Sequence, residues 1–149
     1  MGLFGMFGGN KGATAVQEGE MGPGMVNMLA GMPGMMRKQM MKGRINQLLT
    51  LPEARRRETI IGMFSGFHHP KVNEKNRSKV IATRVEIVGE LAEDKRRTII
   101  TSRIEALKDR PELDEADRKV QGSVLDKVGD KSRRAFLATW DEANKGSQN

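Results

Sequence analysis

The sequence predicts an all-α protein: about six helices in three helix-turn-helix hairpins, forming a short α-solenoid or bundle, behind an extended Gly/Met-rich N-terminal arm. Three observations carry this. Apolar residues from Arg37 onward recur at three- and four-residue spacings, and no strict alternation extends beyond four residues. Much of the chain's glycine, with Pro23 and Pro33, falls in residues 1–34, where no period is sustained. A pattern of apolar pair, short acidic turn, basic pair and second apolar pair then repeats at 48–61, 87–100 and 124–137. The last two copies align without gaps at an offset of 37, a period typical of stacked helical hairpins.

Taken in order, residues 1–34 read as the arm, 35–145 as the helical hairpin domain and 146–149 as a polar tail. In the arm, Leu3, Phe4, Phe7, Met25, Met28 and Met32 supply apolar anchors that a solvated linker would lack. Met35 to Leu51 reads as a basic amphipathic helix, with Met36, Met40 or Met41, Ile45, Leu48 and Leu49 on one side. Pro52 and Glu53 open the next helix, with the acid at the positive helix end. A break at 66–76, a turn at Ala92–Asp94, the stop at Lys108–Pro111 and a turn at Gly129-Asp130 separate the rest. The expected core is Ile45, Leu48, Leu49, Ile60, Ile61, Phe64, Val80, Ile81, Val85, Val88, Leu91, Ile99, Ile100, Ile104, Leu107, Val120, Val124, Leu125, Val128, Phe136, Leu137 and Trp140.

Charge narrows the function. The net charge is +7; residues 1–36 hold Lys11 against Glu18 and Glu20, −1, so residues 37–149 carry +8. Arg37, Lys38, Lys42, Arg44, Arg55, Arg56 and Arg57 face Glu53 alone within 37–57. The basic group recurs as Arg96-Arg97 and Arg133-Arg134, and regular stacking would align these as a docking stripe for an anionic partner. Arginine stems covering apolar flanks between helices would use the same residues structurally. Methionine, which re-packs easily, makes Met25, Met28, Met32, Met36 and Met40 candidates for contact with a partner or a lipid interface.

Catalysis and metal chemistry find no pattern. There is no cysteine, the adjacent His68-His69 have no Cys, Asp or Glu at ligand spacing, and no Ser-His or paired-carboxylate arrangement is readable. No cofactor, metal or catalytic residue is therefore expected, and the methionine spacing suits packing better than a copper site. The opening MGLFGMFGGNKG is a poor secretory signal, and no stretch of about 18 apolar residues suggests a membrane span. A cytoplasmic location, or one peripheral on the inner face of a membrane, is expected.

Two short pieces resemble known families. Met21-Gly22-Pro23-Gly24-Met25 followed by Gly31-Met32-Pro33-Gly34-Met35 resembles the methionine- and glycine-rich lead-in to the RNA-binding domain of the signal recognition particle protein, whose Gly-Ser-rich helix-turn-helix is not found downstream. The piece Leu48-Leu49-Thr50-Leu51-Pro52-Glu53-Ala54-Arg55-Arg56 is similar to the Leu-Pro-x-x-x-Arg turns of armadillo-like repeats in flagellar motor-switch proteins and the cytoplasmic domain of magnesium transporters. Such a turn implies a helical repeat and no particular activity. The expected function is a non-catalytic basic accessory or assembly subunit, docked on a larger, membrane-associated complex through its methionine-rich arm and first helix. The alternative is a basic RNA- or DNA-binding protein, disfavoured by the scarcity of aromatic residues for base stacking.

Overall fold

The computed structural model describes residues 21–148. Seven α-helices lie among them: α1 (Pro23–Gly31), α2 (Gly34–Leu49), α3 (Glu53–Phe67), α4 (Glu74–Glu90), α5 (Glu93–Ala106), α6 (Pro111–Val124) and α7 (Asp130–Gln148). A single 3₁₀ turn, Leu125–Lys127, follows α6, and no strand occurs among the described residues. The all-α reading holds, with one helix more than expected.

The additional helix is α1, inside the segment read as an extended arm. Its glycines weaken it, but Pro23 sits at the first helical position, where its fixed φ favours a start. Burial offsets the poor propensity: Val26, Leu29 and Ala30 pack against the core. The Asn27 amide also donates to the Lys71 carbonyl at 3.3 Å and accepts from the Asn76 side chain at 2.9 Å, tying α1 to the turn before α4. Just upstream, Met21 is 1% exposed and its carbonyl crosses α3 at Gly66, where an added Cβ would lie 1.4 Å from that oxygen. Residues 1–20, including Leu3, Phe4 and Phe7, lie outside the described residues.

Each helix packs on the second one along, α1 on α3, α2 on α4, α3 on α5, α4 on α6 and α5 on α7, as in a solenoid. The stack is not open, because α4 also packs against α1 and α7. Eight of its 17 residues are buried, from Val80 to Gly89, so α4 is the axis of a closed bundle. Its closest approach is to α7: a Cβ on Gly89 would sit 2.2 Å from the Ser132 carbonyl oxygen. Consecutive helices touch less than alternate ones, so the hairpin is not the packing unit.

The unit that repeats is a single helix with the turn before it. In α2, α3, α4, α5 and α7 the fourth residue is an arginine: Arg37, Arg56, Arg77, Arg96 and Arg133. Each reaches back across its turn to the carbonyl five residues earlier, on Met32 (3.0 Å), Leu51 (2.8 Å), Val72 (2.5 Å), Leu91 (2.7 Å) and Val128 (3.1 Å). The carbonyls at and beyond a helix C-terminus lack intrahelical donors and carry partial negative charge, so a guanidinium there satisfies both needs. Three of these arginines also bond a hydroxyl on the second helix along: Arg37 to Thr83, Arg56 to Ser102 and Arg96 to Thr139, at 2.8 to 3.2 Å. The local turn and the alternate-helix packing are thus set by the same side chain.

The expected core is largely buried, although Leu49, Ile61, Leu91, Val120, Leu125, Leu137 and Trp140 are only partly so. Met21, Val26, Leu29, Met41, Met63, Phe67, Val72 and Ile87 join it.

Candidate functional site

The exposed methionines lie on α1 and α2. Met28 is 48% exposed, Met36 52% and Met40 46%, and Met35, which was not among the candidates, is 82% exposed. Met25 and Met32 are half-buried against the core instead. Helical geometry explains the sorting. The inner face of α2 is Met41, Ile45 and Leu48, and Met36 lies about two and a half turns before Ile45, on the opposite side. The single face expected for Met36, Ile45 and Leu48 is therefore two faces. The outer one, with Gln39, Gly43, Asn46 and Gln47 beside the methionines, carries no acidic residue.

The basic candidates divide as well. Arg56 is buried, and Arg37, Arg96 and Arg133 are half-buried, their guanidinium groups engaged at the turns. Lys38 bonds Glu90 at 2.7 Å and Glu86 at 2.9 Å on α4, and these bonds raise its pKa above the usual lysine value. Arg57 pairs with Glu53, Arg97 with Glu93 and Arg134 with Asp130, all local surface pairs of little energetic weight. Hydrogen bonding to Arg57 holds the Glu53 carboxyl below its ordinary range, against a burial effect of opposite sign. Lys42 and Arg55 are exposed, with no ion pair among the described residues. A continuous stripe of free arginines does not form, because the recurring one of each group turns inward.

A cluster that the sequence reading missed lies at the centre. Asp117 on α6 is fully buried and accepts from Arg84 on α4 at 2.9 and 3.0 Å, from Arg103 on α5 at 3.0 Å, and bonds His68 Nε2 at 2.8 Å. Burial alone would raise the Asp117 pKa; the Arg84 charge, the His68 and Arg84 hydrogen bonds and the Arg103 charge win, holding it well below the carboxylate range. Arg103 also bonds Asp114, which pairs with Arg118 at 3.0 Å. The guanidinium of Arg84 lies 4.5 Å from the Phe64 ring centroid, and those of Arg103 and Arg118 lie 5.1 and 4.8 Å from that of Trp140. His68, which has no Asp or Glu at ligand spacing in the sequence, is thus drawn inward by a carboxylate 49 residues away. A signal was available: Arg84 and Arg103 interrupt the apolar runs Val80–Val88 and Ile99–Ile104.

This cluster is a structural ion network more than a reactive one. Its acid is saturated with donors and ionised at neutral pH, so it has no proton to give and little basicity to offer. Among the described residues, no group of three or more His, Asp or Glu side chains could hold a metal ion, and no helix is long and apolar enough to cross a membrane. No family model matches the chain, and neither a curated protein nor a solved structure matches it significantly.

Proposed function

We propose that this chain is a non-catalytic accessory or assembly subunit that docks on a larger, membrane-associated protein complex through the outer face of α1 and α2. The observation that carries this reading is the set Met28, Met35, Met36 and Met40, each nearly half exposed or more on adjoining helices. Four large exposed apolar side chains on two consecutive helices of a chain with 30% charged residues call for a partner surface. Thioether side chains adapt to an irregular apolar groove on that partner. Lys42, exposed two turns beyond Met35 on the same side of α2, favours an acidic rim around the groove. Residues 1–34 would add to the same contact, and a position on the inner face of a membrane would follow from the partner.

The test is size separation of a gently solubilised native lysate, with and without nuclease, comparing the natural chain with Met28→Ser/Met35→Ser/Met36→Ser/Met40→Ser. The expected result is nuclease-resistant migration in a large complex, lost in the variant at unchanged helicity by circular dichroism. Retention of the variant in the complex would overturn the docking face. A shift to small size on nuclease treatment would transfer the assignment to nucleic-acid binding through exposed cations such as Lys42 and Arg55.

A further inference from the structure

A cavity of about 40 Å³ lies inside the bundle, walled by Met41, Met63, Phe64 and Trp140, with Arg44 and Arg103 among its lining residues. Its apolar and cationic sides do not balance one another. Arg44, Arg84 and Arg103 all line it, yet the one fully buried carboxylate nearby, Asp117, is already taken up by Arg84, Arg103 and His68. Asp114 is likewise shared between Arg103 and Arg118.

Two independent observations point to an unmet need for an acceptor among its lining arginines. Arg103 is 4% exposed, and its Nε, fully enclosed, has no hydrogen-bond partner. Buried donors are rarely left so, because an unmade bond costs about 1–3 kcal/mol. Arg44 is half-buried and forms no hydrogen bond or ion pair among the described residues, and burial lowers its pKa from the usual arginine value. Water in the cavity would satisfy the Arg103 N–H and leave the excess positive charge where it is.

We infer that this cavity is a binding site for a short single-chain carboxylate, its acid group toward Arg103 and Arg44 and its aliphatic chain among Met41, Met63 and Trp140. The chemistry follows from the lining: a carboxylate accepts charge-assisted bonds from guanidinium groups, and the rest of the wall is apolar apart from the Trp140 indole and Gln121, whose oxygen already accepts from Arg84. The size follows from the volume. Roughly three water-sized groups fit the cavity as it stands, and a longer chain enters only as far as the flexible methionine walls yield. This site is independent of the methionine face on α1 and α2, and either can fail alone.

Trp140 is the only tryptophan and the chain has no tyrosine, so its emission reports the cavity directly. The full-length protein would be titrated with butanoate, hexanoate, octanoate and dodecanoate and with the matching alcohols, following Trp140 fluorescence. Hexanoate is expected to saturate the signal, binding at least about tenfold tighter than hexanol. Affinity should fall again by dodecanoate. Arg44→Gln, at a half-buried site outside the Asp117 network, should lower the preference for hexanoate over hexanol severalfold, Arg103 remaining, with the melting temperature unchanged. Ile99→Phe should remove both responses by filling the space. Three results would each overturn the inference: no saturable response at any length, equal binding of acid and alcohol, or Arg44→Gln leaving their ratio untouched. Affinity that rises steadily through dodecanoate would also overturn it, as the mark of adsorption to the surface.

Discussion

Five of the six turns between helices from α1 to α7 are closed by an arginine at the fourth position of the incoming helix; the turn between α5 and α6 is not. Arg37, Arg56, Arg77, Arg96 and Arg133 bond carbonyls five residues back, whereas the fourth residue of α6 is Asp114. There the charge is inverted. Asp114 takes Arg103 from α5 and Arg118 from its own helix, and one turn further along Asp117 gathers Arg84, Arg103 and His68. The repeat stabilises the molecule by local contacts of one kind, and its single exception builds the buried ion network by supplying the acids that gather Arg84 and Arg103. A regular element and its interruption thus do different jobs with the same residue type.

The contrast can be broken first at the exception. Asp117→Asn removes the only fully buried carboxylate among the described residues and leaves Arg84 and Arg103 facing each other's charge. It is expected to cost about 3–5 kcal/mol, or to prevent folding, as measured by denaturant titration. Arg56→Met is next. Arg56 is 8% exposed and bonds the Leu48 and Leu51 carbonyls, Glu53 and Ser102, so its loss should cost about 2–3 kcal/mol. Arg133→Met, at a more open turn with one carbonyl and one surface acid, should cost about 1 kcal/mol or less. An equal loss at the two turns would show that burial does not grade them.

Acid sharpens the same comparison. The folded pKa of Asp117 lies below its ordinary 3.8, so its contribution is present above that value and is lost as pH falls from there toward the folded pKa. Glu53 behaves alike, losing its smaller contribution below 4.5. Lys38, raised above 10.5, contributes below that pH and loses its effect as pH climbs past it. Thermal melts should therefore stay level near neutrality and drop below about pH 4. The drop should be shallower in Glu53→Gln. The smallest effect is expected at the outer face of α2, where Met36→Ser and Met40→Ser should change stability by no more than ~0.5 kcal/mol, since neither side chain belongs to the core.

What could be read in advance follows the range of the interactions. The helix class, the positions of α2 to α7 and most of the core rest on periodicity and turn residues, which are local. The arginine turn is local too, spanning five residues, and an apolar residue, a cap, an acid or glycine and then arginine three further on can be picked out at Leu51, Val72, Leu91 and Val128. The paired arginines Arg55-Arg56, Arg96-Arg97 and Arg133-Arg134 mark only every second helix, α3, α5 and α7, and so mask a turn that recurs at nearly every helix. Arg77 on α4 stands between Asn76 and Ser78 and has no adjacent basic residue to mark it.

By itself, then, the sequence determined that the chain is helical, where its turns fall and that its methionines are too many for one small core. Only the tertiary structure decided which of them stay outside. Packing of α2 on α4 selects Met41 for burial and leaves Met36 and Met40 exposed, because faces half a turn apart on one helix cannot both meet the same neighbour. It also decided that Pro23–Gly31 is helical, since burial of Val26, Leu29 and Ala30 outweighs glycine's preference for disorder. The Asp117 network is tertiary in the same sense. Its partners lie 14, 33 and 49 residues away, and no local pattern specifies which arginines will share a buried carboxylate until the helices that carry them have packed.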